Sequence, residues 1–198
     1  AKERKIIRMP FPRLDAIYPK LMRRLDSDRY YHSLGTMQVA LGMALELRID
    51  PRQAVLAGLL HDCERCEPVE RLRLKIERFR LKVPPEELPH TALYHNYVGA
   101  YTARVDFGVR DRAVLRAIRR HTCGGERMTR LDKLLYIADL IEPSRGRINE
   151  NVKVVRSLAF RDLEAAFRLA ISEKLNYLRE SRIKLNPRAQ RMVAAYLN

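Results

Sequence analysis

The stretch DPRQAVLAGLLHDCERC, residues 50–66, decides the class of fold. It closes on a histidine–aspartate pair followed by two cysteines at CxxC spacing. A redox CxxC would sit in a thioredoxin-like βαβ unit. The residues before it argue for a helix instead. Asp50 and Pro51 read as an N-cap and first helical residue, with Gln53 as capping-box partner. Val55, Leu56, Leu59 and Leu60 then recur at helical spacing, and the helix ends near His61. A structural zinc at Cys63 and Cys66 would need Cys123 and a histidine to close it. The cysteines are therefore read as ordinary thiols, with Cys63 near enough to the apolar face to be buried.

The same period runs along nearly the whole chain. Leu14, Ile17, Tyr18, Leu21, Met22 and Leu25 fit one helix, and Leu34, Met37, Leu41 and Leu45 a second. Val69, Leu72, Ile76 and Phe79 follow Pro68. A helix is expected from about Thr91 to Phe107, stopped by Gly108. Asp111 caps the next, which ends at His121, and Thr129 opens another through Leu131, Leu134, Leu135 and Ala138. A long helix carries Leu163, Phe167, Ala170, Lys174 and Leu178, and Asn186-Pro187 starts the last. The only strand candidate is the short VKVV at 152–155. The expectation is one all-α domain over residues 1–198, of eight to ten helices, with a short basic segment at 1–10.

Composition bounds the class further. The chain has 198 residues, 46% of them hydrophobic, which suffices for a substantial core. No apolar run approaches the ~20 residues of a membrane-spanning helix. The N-terminal residues lack the apolar centre of a secretory signal, and three cysteines make no disulfide framework, so a reducing cytoplasm is expected. The net charge of +15 suits polyanionic partners: nucleic acid, an anionic membrane or a small polyphosphate.

The chain has five histidines: His32, His61, His90, His95 and His121. All but His90 fall at helix ends or first turns, and ends from distant segments can gather at one face of a bundle. His90, behind a proline, reads as surface. Imidazole with carboxylate suits Fe, Mn, Zn or Co. Alone, His61-Asp62 reads first as a helix C-terminus with a capping histidine and a solvated aspartate. Asp139 lies within an otherwise apolar helix, where a carboxylate must be paired or metal-bound; Lys133 and Arg145 are its candidate ion-pair partners.

Taken together, RYYHSLG with His32, AGLLHDCER with His61 and Asp62, LYHNYVGA with His95, IRRHT with His121 and KLLYIADLIEPSR with Asp139 resemble the HD-domain phosphohydrolases. More narrowly they resemble the YqeK family of symmetrical diadenosine tetraphosphate hydrolases. The resemblance runs from about residue 10 to the C-terminus. It implies an HD-domain helical bundle and a metal set of His32, His61, Asp62 and Asp139, with His95 and His121 completing a second position. Asp62 and His61 would be the catalytic centre, with Asp62 bridging two ions. The cofactor implied is Fe, as one ion or a diiron pair, with Mn, Co and Zn as other divalent ions the ligands accept. The reaction implied is attack by metal-bound hydroxide at the middle of the tetraphosphate, releasing two nucleoside diphosphates such as ADP or GDP. Arg145 and Thr122 are the preferred substrate contacts, with Arg29, Arg119, Arg120 and Lys133 as further phosphate ligands. The chain departs from the family at Arg65, where Lys is usual, and at Gly125, where Arg is expected and Arg127 is the nearest replacement. No membrane or nucleic-acid partner is required, and a homodimer is compatible with the sequence. The competing readings are another HD-type nucleotide phosphohydrolase or phosphodiesterase, or a basic nucleotide- or RNA-binding module with a lapsed site.

Overall fold

The computed structural model describes residues 13–146 and 149–198; the basic segment at 1–10 lies outside the described residues. Among the described residues ten α-helices follow one another: α1 Leu14–Met22, α2 Ser27–Glu46, α3 Pro51–Leu60, α4 Val69–Arg78, α5 Tyr94–Val105, α6 Arg112–Arg120, α7 Arg130–Ile141, α8 Glu150–Ala159, α9 Leu163–Glu180 and α10 Pro187–Leu197. No strand occurs among the described residues, so the all-α expectation holds.

α7 is the axis of the bundle. Thr129 and Asp132 form a reciprocal capping box at its start, and all but two of its residues are buried. A helix apolar on nearly every side must be surrounded. Here α2, α3, α6, α8 and α9 pack on it. α2 and α3 lie against each other so closely that a Cβ on Gly58 would fall 2.7 Å from Met37 Cα. Gly58→Ala should therefore force the two helices apart. Overpacking of this kind costs about 1–3 kcal/mol, a melting temperature on the order of 5 °C lower. Thermal denaturation checks this, and an unchanged Tm would refute the close-contact argument.

Three local expectations are corrected. Gln53 does not close a capping box on Asp50. The Asp50 side chain accepts from Arg52 N, and Gln53 Nε2 donates instead to Asp111 Oδ2 at 2.8 Å, tying the start of α3 to that of α6. VKVV is not a strand. Asn149 caps α8, and Val152 and Val155 turn inward at a spacing of three. The helix expected from Thr91 begins with a 3-10 turn, Thr91–Leu93, before α5. After α6 the chain reverses through Gly124 at φ +64°, a left-handed conformation that glycine adopts without a Cβ penalty. Gly124 N donates back to Arg120 O. None of the described helices is long and apolar enough to cross a membrane.

Candidate metal centre

Four of the five histidines and two aspartates meet where α2, α3, α5, α6 and α7 converge. His61 and His121 sit at equivalent places, each one residue past its helix. Each turns Nδ1 back to donate to the carbonyl three residues earlier: Gly58 O at 2.8 Å and Ile118 O at 2.7 Å. That bond fixes the proton on Nδ1 and leaves Nε2 facing the site. His32, on α2, donates from Nδ1 to Glu142 Oε1 at 2.9 Å. Glu142 is fully buried just past α7 and also accepts from Ser144 N and Oγ.

The donor atoms form two groups around Asp62. His32 Nε2 lies 3.1 Å from His61 Nε2 and 3.0 Å from Asp139 Oδ1. His61 Nε2 is 3.5 Å from Asp139 Oδ1 and 3.7 Å from Asp62 Oδ2. On the other side, His121 Nε2 and His95 Nε2 approach Asp62 Oδ1 at 3.2 and 3.4 Å. His32, His61 and Asp62 on one side, and Asp62, His95 and His121 on the other, each bring their donor atoms within 4.8 Å of one another, close enough to share one divalent ion. Asp62 is 3% exposed, and its Oδ1 is buried with no well-directed hydrogen bond. A carboxylate oxygen so placed is costly unless something binds it. The residues present fit a divalent metal.

Electrostatics separate the histidines. Burial works against protonation of His32, yet Asp139 and Glu142 outweigh it and raise its pKa to about 9. Burial dominates at His121 and lowers its pKa to about 4. Burial also opposes ionisation of Asp62 and Asp139. Facing imidazoles, and Arg145 at Asp139, hold both carboxyls well below the usual range. His95 differs from the rest, because Arg65 Nη1 stands 3.2 Å from its Nδ1. A guanidinium only donates, so in this arrangement the ring proton is on Nε2. Ligation through Nε2 requires Arg65 to turn away, which its exposure allows.

Two cavities, of about 510 and 600 Å³, flank the centre and share Arg29, Tyr136, Asp139, Arg145, Lys174 and Tyr177. Arg29 Nη1 is 3.6 Å from Asp62 Oδ2, and Arg145 Nη2 is 2.5 Å from Asp139 Oδ1. Thr122, on the larger cavity, donates to Asn96 Oδ1 at 3.0 Å and lies 3.0 Å from His121 Nε2.

Lys133 is a correction. Six residues before Asp139 on the same helix, it points away from the centre. Its ammonium is held by Glu164 at 2.6 Å and lies over the rings of Phe167 and Tyr196. Arg119 covers the ring of Tyr97, and Arg120 binds Arg127 O and Asp132, so neither faces the cavities. Arg127 is exposed and lines neither cavity, while the guanidiniums of Arg120 and Arg188 stand beside Gly125. His90 is half-buried on the larger cavity, not a surface residue. Cys63 is buried against Gly99 O, Cys66 is exposed beside Asp26, and all three cysteines are free. Neither group that could hold an ion contains a cysteine.

Sequence reasoning missed Glu142, Asn96 and Lys174. Glu142 follows Asp139 by three residues and reads as the polar end of a helix. Lys174 left a signal, since a lysine on the apolar stripe of a helix is out of place.

The HD domain family model matches residues 29–144, the span that carries every donor just described. The chain belongs to the HD-domain family. Within that family it is similar to proteins named symmetrical bis(5'-nucleosyl)-tetraphosphatase. The one from Bacillus subtilis is 37% identical over 79% of this chain and 82% of its own length. The one from Halalkalibacterium halodurans is 33% identical over 78% of this chain and 81% of its own. Among solved structures, an HD superfamily hydrolase of Clostridium acetobutylicum, described as involved in NAD metabolism, superposes with a TM-score of 0.85. It is 31% identical, and the match covers 93% of this chain and 96% of that one. These likenesses place the chain with the YqeK-type HD proteins.

Proposed function

We propose that this chain is a symmetrical dinucleoside tetraphosphate hydrolase, cutting diadenosine tetraphosphate into two ADP. The observation that carries the reading is Asp62. Its two oxygens face two different donor groups, and the one toward His95 and His121 is buried without a well-directed hydrogen bond. One carboxylate can then bridge two ions: His32, His61 and Asp139 would hold one with Asp62, and His95 and His121 the other. The metal proposed is iron, for which imidazole and carboxylate are suitable donors. When bound, a pair of such ions supplies Lewis-acid charge to phosphoryl oxygens and lowers the pKa of water.

The chain's own residues do the rest. Arg29 and Arg145 stand at the boundary of the two cavities, beside Asp62 and Asp139. Guanidiniums there hold the inner phosphates against the metal ligands. Each cavity falls within the roughly 300–1,000 Å³ typical of small-ligand sites, so a nucleoside can lie on either side of the reacting phosphates. Thr122 bounds the larger cavity beside His121. The relatives named for tetraphosphate hydrolysis support the substrate class. Three free thiols and a nucleotide substrate suit the reducing cytoplasm.

The test is an anaerobic, iron-supplemented digest of diadenosine tetraphosphate resolved by chromatography. ADP as the sole nucleotide product is expected. ATP with AMP would show asymmetric cleavage, and no product would remove the function.

A further inference from the structure

Lys174 carries an inference that rests on the function just proposed and goes beyond it. The residue lies on the inward side of α9 with Phe167, Ala170 and Ile171. Its ammonium donates to Thr122 O at 2.8 Å and lies 5.0 Å from the centre of the Tyr136 ring. No carboxylate of the described residues comes within the 4.0 Å of an ion pair. An ammonium has three donors, so two remain for the cavities, and Lys174 lines both. The other shared cations are compensated, Arg29 near Asp62 and Arg145 on Asp139. Burial lowers the pKa of Lys174, with Asp139 the largest opposing influence. Lys174 is half-buried, and a cation so placed without a paired anion is costly, a cost that a bound anion relieves.

We infer that Lys174 binds the inner phosphates and neutralises charge on the departing nucleoside diphosphate. In the hydrolysis, a water oxygen bonds to one inner phosphorus, and the bond from that phosphorus to the central bridging oxygen breaks. The electron pair stays on the bridging oxygen, which becomes a terminal oxygen of the leaving diphosphate. The water protons pass to the new terminal phosphates and, above their pKa, to solvent. Lys174 keeps its own protons and donates hydrogen bonds to the oxygen where charge grows. Its bond to Thr122 O, one residue past His121, holds the ammonium at a fixed place beside the donor cluster.

The experiment compares Lys174→Met, Lys174→Arg and the parent chain, each loaded with iron. For Lys174→Met, kcat/KM on diadenosine tetraphosphate should fall about 10- to 100-fold, the loss of a charged hydrogen bond. The calorimetric Kd for ADP should rise by a similar factor, with metal content and Tm near those of the parent. Lys174→Arg should recover most of both. Parent-like kcat/KM and ADP affinity in Lys174→Met would overturn the inference. If that variant is unstable, Lys174→Gln keeps a donor for Thr122 O, and parent-like behaviour there would equally overturn it. A parent chain that cleaves no dinucleotide sinks the proposed function separately, and the ADP titration still decides the role of Lys174.

Discussion

Asp62→Asn is expected to lower kcat by at least ~10³-fold, about 4 kcal/mol of barrier. The substitution keeps shape and volume but replaces one acceptor oxygen with an NH₂ that cannot ligate. Whichever way the amide turns, one of the two donor groups loses its shared oxygen. Bound metal should fall to at most one ion per chain. Far-ultraviolet circular dichroism should persist, because the helices around Asp62 are held by Leu59, Leu60, Leu134 and Ile137. Metal analysis beside kcat decides the matter. Two retained ions with more than a tenth of parent activity would defeat the bridging role.

Removing the metal is expected to abolish turnover and to give stability a peaked dependence on pH. His32 has a folded pKa of about 9 against an unfolded value near 6.5. Its contribution is complete below pH 6.5 and is lost as pH rises through 9. His121 has a folded pKa of about 4. Its neutral form is favoured in the fold, so stability present above pH 6.5 is lost as pH falls toward 4. The two slopes meet near pH 6.5, each on the order of 3 kcal/mol at its far end. Denaturant titrations of chelated protein from pH 5 to 9 would show the peak. A flat profile would mean that neither imidazole is held as the geometry indicates.

Much of the fold was legible because the apolar period is helical almost everywhere and the caps are strong. Asp50, Asp111, Thr129 and Asn186 all cap helices as their residue types suggest. VKVV misled because β-branched residues suit strands in general, whereas the Asn149 cap and the inward spacing of Val152 and Val155 decide locally. The six candidate ligands were legible from ordered segments that resemble one family, not from any one spacing. The supporting residues were less so. Glu142 and Arg65 matter only through the face of His32 or His95 they touch, and that is a matter of three-dimensional approach. Lys133 and Lys174 look alike in sequence. Only the packing of α9 against α7 sends one to Glu164 and leaves the other between the cavities.

The bond from His32 to Glu142 joins residues 110 apart in sequence. Helical proteins fold fast when their contacts are local, and closing a long loop must precede the contacts that reward it. α2 and α3 can pair early, since a short connection joins them. His32 meets Glu142 and Asp139 only when α7 docks on α2 across that long separation. The hydrolytic centre is therefore among the last parts of the molecule to take shape during refolding. Quenched-flow hydrogen exchange would find amides of α2 and α3 protected before those around Glu142.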